Sequence, residues 1–389
     1  MRSLVLVALL HTVGGCYFGD YHDPCANQYD NSAIDPVLPA GDGTFYVRQS
    51  RLRQPAPAID VAYLVRFDGN GGEVWRKPDA TTLSFPTARF VENAALVTLT
   101  STSMTKQPLD GSDATTVTFA GDCEARQHFS DGVILGESGY FHRPCVFTVG
   151  ATAAPLLLGD ETDGTWFVTT RAPDGGWVSW HNGTLWRFDA AGGNVWRASF
   201  ADVGGLPSQL VYTSRGWLVG MDASIESAST VLRVSDDHAT VQTLFTTPSH
   251  NIPHDGLYWE ELGVVFELGD RIGVASRSFD TPPQQLTMLD EDGAIVAHTT
   301  LTVTVDAAYP AGGGVVLAGS GGGIARIDGD SVTWQRQHDR DWTIANVLDD
   351  GRYFIVAKRQ TGSCSNTDKL GLFSDTGAAQ WWTPEIDLR

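Results

Sequence analysis

Between residues 249 and 261 the chain gathers His250, His254, Asp255, Tyr258, Trp259, Glu260 and Glu261. Two imidazoles with nearby carboxylates are a donor set for a transition metal, provided both rings converge. The His-x3-His spacing brings them together on one face of a helix, and Pro253 stands against a helix here. This stretch therefore reads as a solvated loop whose His250, His254, Tyr258 and Trp259 form a candidate protein-contact surface. Asp-x-Asp pairs occur at Asp290/Asp292, Asp328/Asp330 and Asp339/Asp341. Calcium needs six to eight oxygens, and no stretch has the full loop spacing that supplies them. Hairpin turns explain the first two pairs more simply. Arg66, Arg187, Arg233 and Arg326 each sit two residues before an Asp or Ser. They could form an anion-binding ring, but strand arginines paired with local acids are the more ordinary arrangement. The sequence holds no Gly-x-Ser-x-Gly elbow, no phosphate-binding loop and no Gly-x-Gly-x-x-Gly opening a helix. No catalytic residue and no metal ligand is assigned.

The 389 residues carry 26 Lys+Arg against 46 Asp+Glu, a net charge of −20, with 42 Gly and 12 Trp. Hydrophobic residues at 42% supply enough apolar material for a packed protein, so wholesale disorder is excluded. Only four lysines occur, at Lys77, Lys106, Lys358 and Lys369. Nucleic acid is excluded as a partner, because displacing phosphate counterions needs clustered cations.

Arg2 precedes an unbroken apolar run from Leu4 to Leu10, and Val13, Gly14, Gly15 and Cys16 follow. A run this short cannot cross a ~30 Å hydrocarbon core, which takes about 20 residues. It fits the apolar region of a secretory signal. The Val-Gly-Gly-Cys ending resembles a bacterial lipoprotein signal, which is cut before the Cys. That resemblance implies residues 1–15 as signal peptide, Cys16 as the lipidated residue and residues 16–33 as a tether. Several acyl chains matter, because one alone gives only marginal membrane binding. Tyr17 after Cys16, where Asp would be a retention signal in that family, implies an outer-membrane destination.

Four further cysteines remain: Cys25, Cys123, Cys145 and Cys364. An even number in an exported chain suggests two disulfides, with three pairings possible. Cys123 and Cys145 flank a strand-like segment and make the first expected pair. Cys25 and Cys364 are then left to staple the two ends of the chain. No CxxC or clustered Cys/His signature points to zinc or haem.

A chain this long exceeds what a single core supports, so either several domains or a repeat array is expected. Leu64, Arg66, Phe67 and Asp68 lead through Gly71 and Gly72 to Trp75. Leu185, Arg187, Phe188 and Asp189 lead through Gly192 and Gly193 to Trp196. Weaker copies centre on Asp110, Gly150, Ser235, Asp290, Asp328 and Ser374. From 68 to 374 there are seven steps, a mean of about 44 residues each. The step from 235 to 290 is the longest, so an inserted loop is expected there. Gly-led apolar runs precede the motifs, and Asn182-Gly183 is a strong two-residue hairpin signal. The motif Asp is expected to accept turn amides while a following Gly turns left-handed. The residue before it is apolar in every copy and faces the opposite layer from Arg and Asp.

Three to four short strands per repeat match a β-propeller. The Phe-Asp-x-x-Gly-x-x-x-Trp wording resembles the repeats of quinoprotein-type and outer-membrane-assembly-lipoprotein propellers more than WD40 repeats. The expectation is an all-β propeller over residues 34–389 with about eight four-stranded blades. Seven blades follow if the copy at 110 or 150 merges with its neighbour. Pyrroloquinoline-quinone dehydrogenases of this plan often carry adjacent cysteines joined together, and this chain has no Cys-Cys, so no cofactor is expected. The resemblance implies a monomeric, lipid-anchored scaffold of the cell envelope, binding an envelope protein or a glycan. The competing reading is an enzyme, a glycan lyase, hydrolase or quinoprotein, with its site at the central channel mouth.

Overall fold

The computed structural model describes residues 30–383 except 41, 54–58, 80–87, 93, 109, 120–122, 130, 140–141, 150–154, 160–165, 201–205, 223–227, 238–239, 248, 253–255, 260, 279–280, 320, 340 and 363–364. Cys16, Cys25, Cys364 and His254 therefore lie outside the described residues. Consecutive strands pair antiparallel in fours, in blades spanning 30–78, 88–118, 123–157, 166–199, 206–246, 261–301, 307–337 and 342–382. Within each blade the chain runs from the strand nearest the axis, A, outward through B and C to D. The A strands contact one another around the axis, and the D strands carry the exposed edges. The protein is an eight-bladed all-β propeller, and no helix occurs among the described residues. The copies at 110 and 150 each fall at the C–D turn of a blade of their own, so neither merges with a neighbour.

Strand B of the fourth blade, Trp177–His181, is buried at every position. Its side chains alternate: Trp177 packs toward the third blade, while Val178 and Trp180 pack toward the fifth. A strand buried on both faces must be apolar nearly throughout, which is why these runs read as continuous rather than alternating. Among the described residues, seven apolar clusters each straddle two successive blades, including one joining blade eight to blade one through Phe45, Phe67, Phe354 and Leu372. Each large side chain so buried contributes about 1.5–3 kcal/mol.

The repeat motif builds the C–D turn. Asp68 Oδ1 accepts the amides of Asn70 and Gly72, at 2.8 and 2.9 Å. Asp189 and Asp290 repeat this, and the Ser374 hydroxyl accepts the Ala378 amide in the same way. Gly71, Gly192, Gly293 and Gly377 take the left-handed position with φ of 82° to 89°. The bare face of that glycine is then covered by strand D of the preceding blade. Trp381 covers Gly71, Leu156 covers Gly192, Leu244 covers Gly293 and Arg336 covers Gly377. The ring thus closes by the contact that joins its other blades: Trp381 Nε1 also donates to Gly69 O at 3.1 Å.

The first strand, Asp30–Pro39, opens a blade rather than completing the last one. It adds a short parallel pairing of Asp30 and Asn31 with Ser365 and Asn366 on strand C of blade eight. Asn346 Nδ2 donates to Val37 O across the same seam at 2.9 Å. Cys123 and Cys145, on strands A and C of blade three, are joined by a disulfide with Cα atoms 6.1 Å apart. Gly136 lies on the strand between them, where a Cβ would come within 2.7 Å of Cys123 Sγ. Residues 235–290 hold not a loop but an extra antiparallel hairpin, Ser249–Ile252 with Gly256–Trp259. Its β-forming Leu257, Tyr258 and Trp259 pair back across the 253–255 segment, forming a two-stranded sheet separate from the blades.

The inter-blade contact is expected to dominate the cost of substituting its glycine. Gly132 has the same φ of 82° as Gly71, but a Cβ there meets nothing within 4 Å. Gly132→Ala should cost only backbone strain, about 1–2 kcal/mol. Gly71→Ala, whose Cβ would sit 2.9 Å from the Trp381 ring, should cost about 1–3 kcal/mol more. Urea denaturation of the two variants measures the difference; equal losses would contradict the packing role of Trp381.

Candidate functional site

The A–B turns gather round one end of the axis and side chains or backbone tie them together. Glu92 of blade two faces His128 of blade three, with Oε2 3.8 Å from Nδ1. Arg171 of blade four grips Asp131 of blade three, with Nη1 2.6 Å from Oδ1. Ser214 of blade five donates its amide to Glu267 of blade six at 3.3 Å, and Gly312 of blade seven donates to Asp349 O of blade eight at 2.7 Å. This end of the propeller is a belt of fixed charges around the axis.

The four strand arginines do not converge on a common centre. Arg66 pairs with Asp42 at 2.7 Å, Arg187 with Asp174 at 2.5 Å and Arg326 with Asp328 at 2.8 Å. Blade five has Arg215 at the A–B turn where blades one and four have Asp. There Arg233 donates to Glu291 O of blade six, and Arg215 reaches the Glu291 and Asp292 carboxylates. Acids of the same blade therefore account for Arg66, Arg187 and Arg326, while Arg233 is tied to the backbone of the next blade.

Hydrogen bonding from Arg171, aided by its charge, holds the Asp131 carboxyl below its ordinary range. The Thr44 hydroxyl and Arg66 do the same for Asp42. Deeper groups are shifted by burial. His128 stacks on Phe90 at 4.8 Å, its Nε2 buried without a hydrogen-bond partner, and desolvation lowers its pKa. His338 is pushed down to about 4 by burial, with Arg336 adding to the effect, and its Nε2 lies 3.0 Å from Tyr353 Oη. Burial raises Tyr353 and Tyr46 to about 12. His128 sits between blades two and three, His338 and Tyr353 between blades seven and eight, and Tyr46 in blade one. Their shifts come from blade packing at separate seams rather than from a shared reaction centre.

One cleft of about 370 Å³ opens among the A–B turns of blades six, seven and eight. Glu267 and Leu268 form one wall, Asp349 stands on the other, and Pro310, Gly312 and Gly313 lie between. It exists because the blade-seven turn is Gly312-Gly313-Gly314, with φ of 51° at Gly312 and 80° at Gly313, and bears no side chain to fill the gap. Sequence reading missed this cleft. The available signal was the Gly312-Gly313-Gly314 run itself, at a turn where other blades place side chains such as Asp42, Asp131, Asp174 and Arg215.

The opposite end carries the B–C turns and the crossovers between blades. There the hairpin registers His250 with Tyr258 and Ser249 with Trp259. His254 lies outside the described residues, so the spacing that suggested a metal pair does not yield a described site. No group of three or more potential metal-binding residues occurs among the described residues.

No protein-family profile and no curated protein sequence matches the chain. Among solved structures, the dihydro-heme d1 dehydrogenase NirN superposes with a TM-score of 0.57 at 11% identity, covering 90% of this chain and 73% of that one. Sqt1 of Saccharomyces cerevisiae gives 0.50 at 8% identity, covering 92% and 99%. BamB of Moraxella catarrhalis gives 0.45 at 10% identity, covering 91% and 98%. At these identities the likeness is one of fold, and the fold is compatible with a protein-binding scaffold.

The half-buried His128 and His338 give the fold an acid-sensitive window. A base whose folded pKa lies below its ordinary 6.5 leaves the unfolded chain binding more protons between the two values. Stability should therefore fall as pH drops from 6.5 toward 4, to which His128 adds in the same direction. His338→Phe, which keeps an aromatic ring beside Trp342, should show a shallower fall in Tm across that window. An unchanged slope would assign the acid sensitivity to other groups.

Proposed function

We propose that the protein is a lipid-anchored, extracytoplasmic scaffold that presents its propeller to an envelope protein. The observation carrying this is the polarity of the ring relative to its tether. Strand A of blade one enters from the crossover end at Asp30, 14 residues after Cys16. Even fully extended, 14 residues span at most about 50 Å. The crossover end would then lie near the bilayer, while the cleft-bearing turn end faces outward. No helix among the described residues is long and apolar enough to cross a membrane, so in this reading acyl chains on Cys16 supply the attachment. A rigid ring with charged turns at one end and non-equivalent hairpins at the other suits binding better than turnover. Its strongly shifted groups are spread among blade seams.

Cys16→Ser tests the anchor. The wild-type chain should label with palmitate and sediment with membranes, and the variant should do neither. Membrane retention of an unlabelled variant would contradict lipidation. Crosslinking of the wild-type protein in its membrane should recover a distinct envelope protein by mass spectrometry; recovery of the protein alone would count against the scaffold. We also propose a Cys25–Cys364 disulfide. Ser365, next to Cys364, pairs with Asp30, which lies five residues beyond Cys25. Non-reducing peptide mapping should find the two cysteines linked, and a free thiol at either position would refute the bond.

A further inference from the structure

The crossover from blade five to blade six takes residues 247–260, against 302–306 and 338–341 for those leading to blades seven and eight. It holds Ser249–Ile252 and Gly256–Trp259, an antiparallel pair that joins no blade sheet. A lone two-stranded hairpin is marginal in water, so this one calls for a surface to cover it. Its paired residues include Ile252, Leu257, Tyr258 and Trp259 but no Asp, Glu, Lys or Arg. That is unusual in a chain with 46 carboxylates. By register, Ser249, Asn251, Leu257 and Trp259 share one face, while His250, Ile252, Gly256 and Tyr258 share the other. The first of these faces bears no ionisable residue.

We infer that this hairpin is an interfacial membrane contact that sets the crossover end of the ring against the bilayer, an inference that rests on the lipid-anchor reading above. As a link from strand D to strand A, it stands at the end of the ring where Asp30 enters, 14 residues after Cys16. Blades six, seven and eight separate it from that seam. One flexible tether leaves the ring free to tumble, whereas a second contact away from the tether fixes an orientation. Tethering also raises the hairpin's concentration at the surface, so a weak contact suffices. Trp and Tyr suit the headgroup level, having an apolar body and a polar tip. The hairpin goes no deeper, because its open edges need water or lipid oxygens that hydrocarbon lacks. A zwitterionic surface fits best, since a net charge of −20 is repelled by anionic headgroups. The contact orients and does not anchor, so Cys16→Ser is still expected to leave the membrane.

The test attaches the mature chain, with a hexahistidine tag before residue 16, to phosphatidylcholine vesicles containing a nickel-chelating lipid. Attachment then does not depend on acylation. Hydrogen exchange by mass spectrometry should show the amides of Gly256–Trp259 slowing about tenfold on the vesicles relative to the free protein. Amides 312–314, at the opposite end of the ring, should exchange at the same rate in both. High salt should leave the slowing in place, since an apolar contact is not screened. Leu257→Ser/Trp259→Ser should abolish the slowing. Leu257→Met/Trp259→Tyr should keep it, which separates loss of the contact from loss of the hairpin. Unchanged exchange at 256–259, equal slowing at both ends, or slowing that the serine variant retains would each overturn the inference. Slowing that appears only when a crosslinked envelope protein is added would overturn it in favour of a protein-contact surface. A Cys16 without palmitate would refute the lipid anchor and leave the vesicle result standing; a labelled Cys16 without slowing would refute the hairpin contact alone.

Discussion

A four-stranded blade has two flat faces and no core between them; apolar burial against its neighbours is what makes each blade a stable object. Val178 and Trp180 face one neighbour and Trp177 the other, so removing either neighbour exposes half of the apolar surface of one strand. An isolated sheet of this size is marginal in water, and a ring removes the exposed ends that a linear stack would keep. The left-handed glycine of the motif turns at Gly71, Gly192, Gly293 and Gly377 serves the same end. It leaves a flat backbone patch on which the preceding outer strand rests, setting the angle between blades as well as the turn within one.

Ring closure follows from this logic. Blade eight meets blade one through the same apolar packing and the same contact of an outer-strand side chain on a turn glycine used elsewhere, supplemented by a two-residue parallel pairing and an Asn346 bond. The chain therefore needs no strand exchanged between its ends. The charged A–B turns then lie at fixed positions about the axis, held by ties such as Asp131–Arg171, and one gap is left where the blade-seven turn is all glycine.

What was legible in the sequence was local. The motif turn needs an acceptor at Asp68, a left-handed residue at Gly71 and an outer-strand residue at Trp75, all within eight positions, so strong copies identify themselves. The copies at 110 and 150 are faint because they lack the motif's Trp, and in the latter blade Leu156 does the covering of the next turn, at Gly192. Their regular spacing still located two blades. The cleft was not legible, because its walls come from Glu267, Gly312 and Asp349, turns about 40 residues apart that are brought together only by the ring. The segment holding His250 and Tyr258 reads in sequence as an inserted loop, because the 235–290 interval is the longest and Pro253 stands against a helix. Its strand character emerged only through pairing between its own two halves.

The mutual dependence of the blades is tested most directly by ending the chain after residue 340, which deletes blade eight, and measuring amide hydrogen exchange by mass spectrometry. The expected result is loss of slow-exchanging amides throughout, in blade four as much as in blades one and seven, because an opened ring exposes two apolar faces and its stability is cooperative. Retained protection in blades two to six, with exchange raised only at the two cut faces, would contradict the account: the blades would then be independently stable units and the closed ring incidental to the fold.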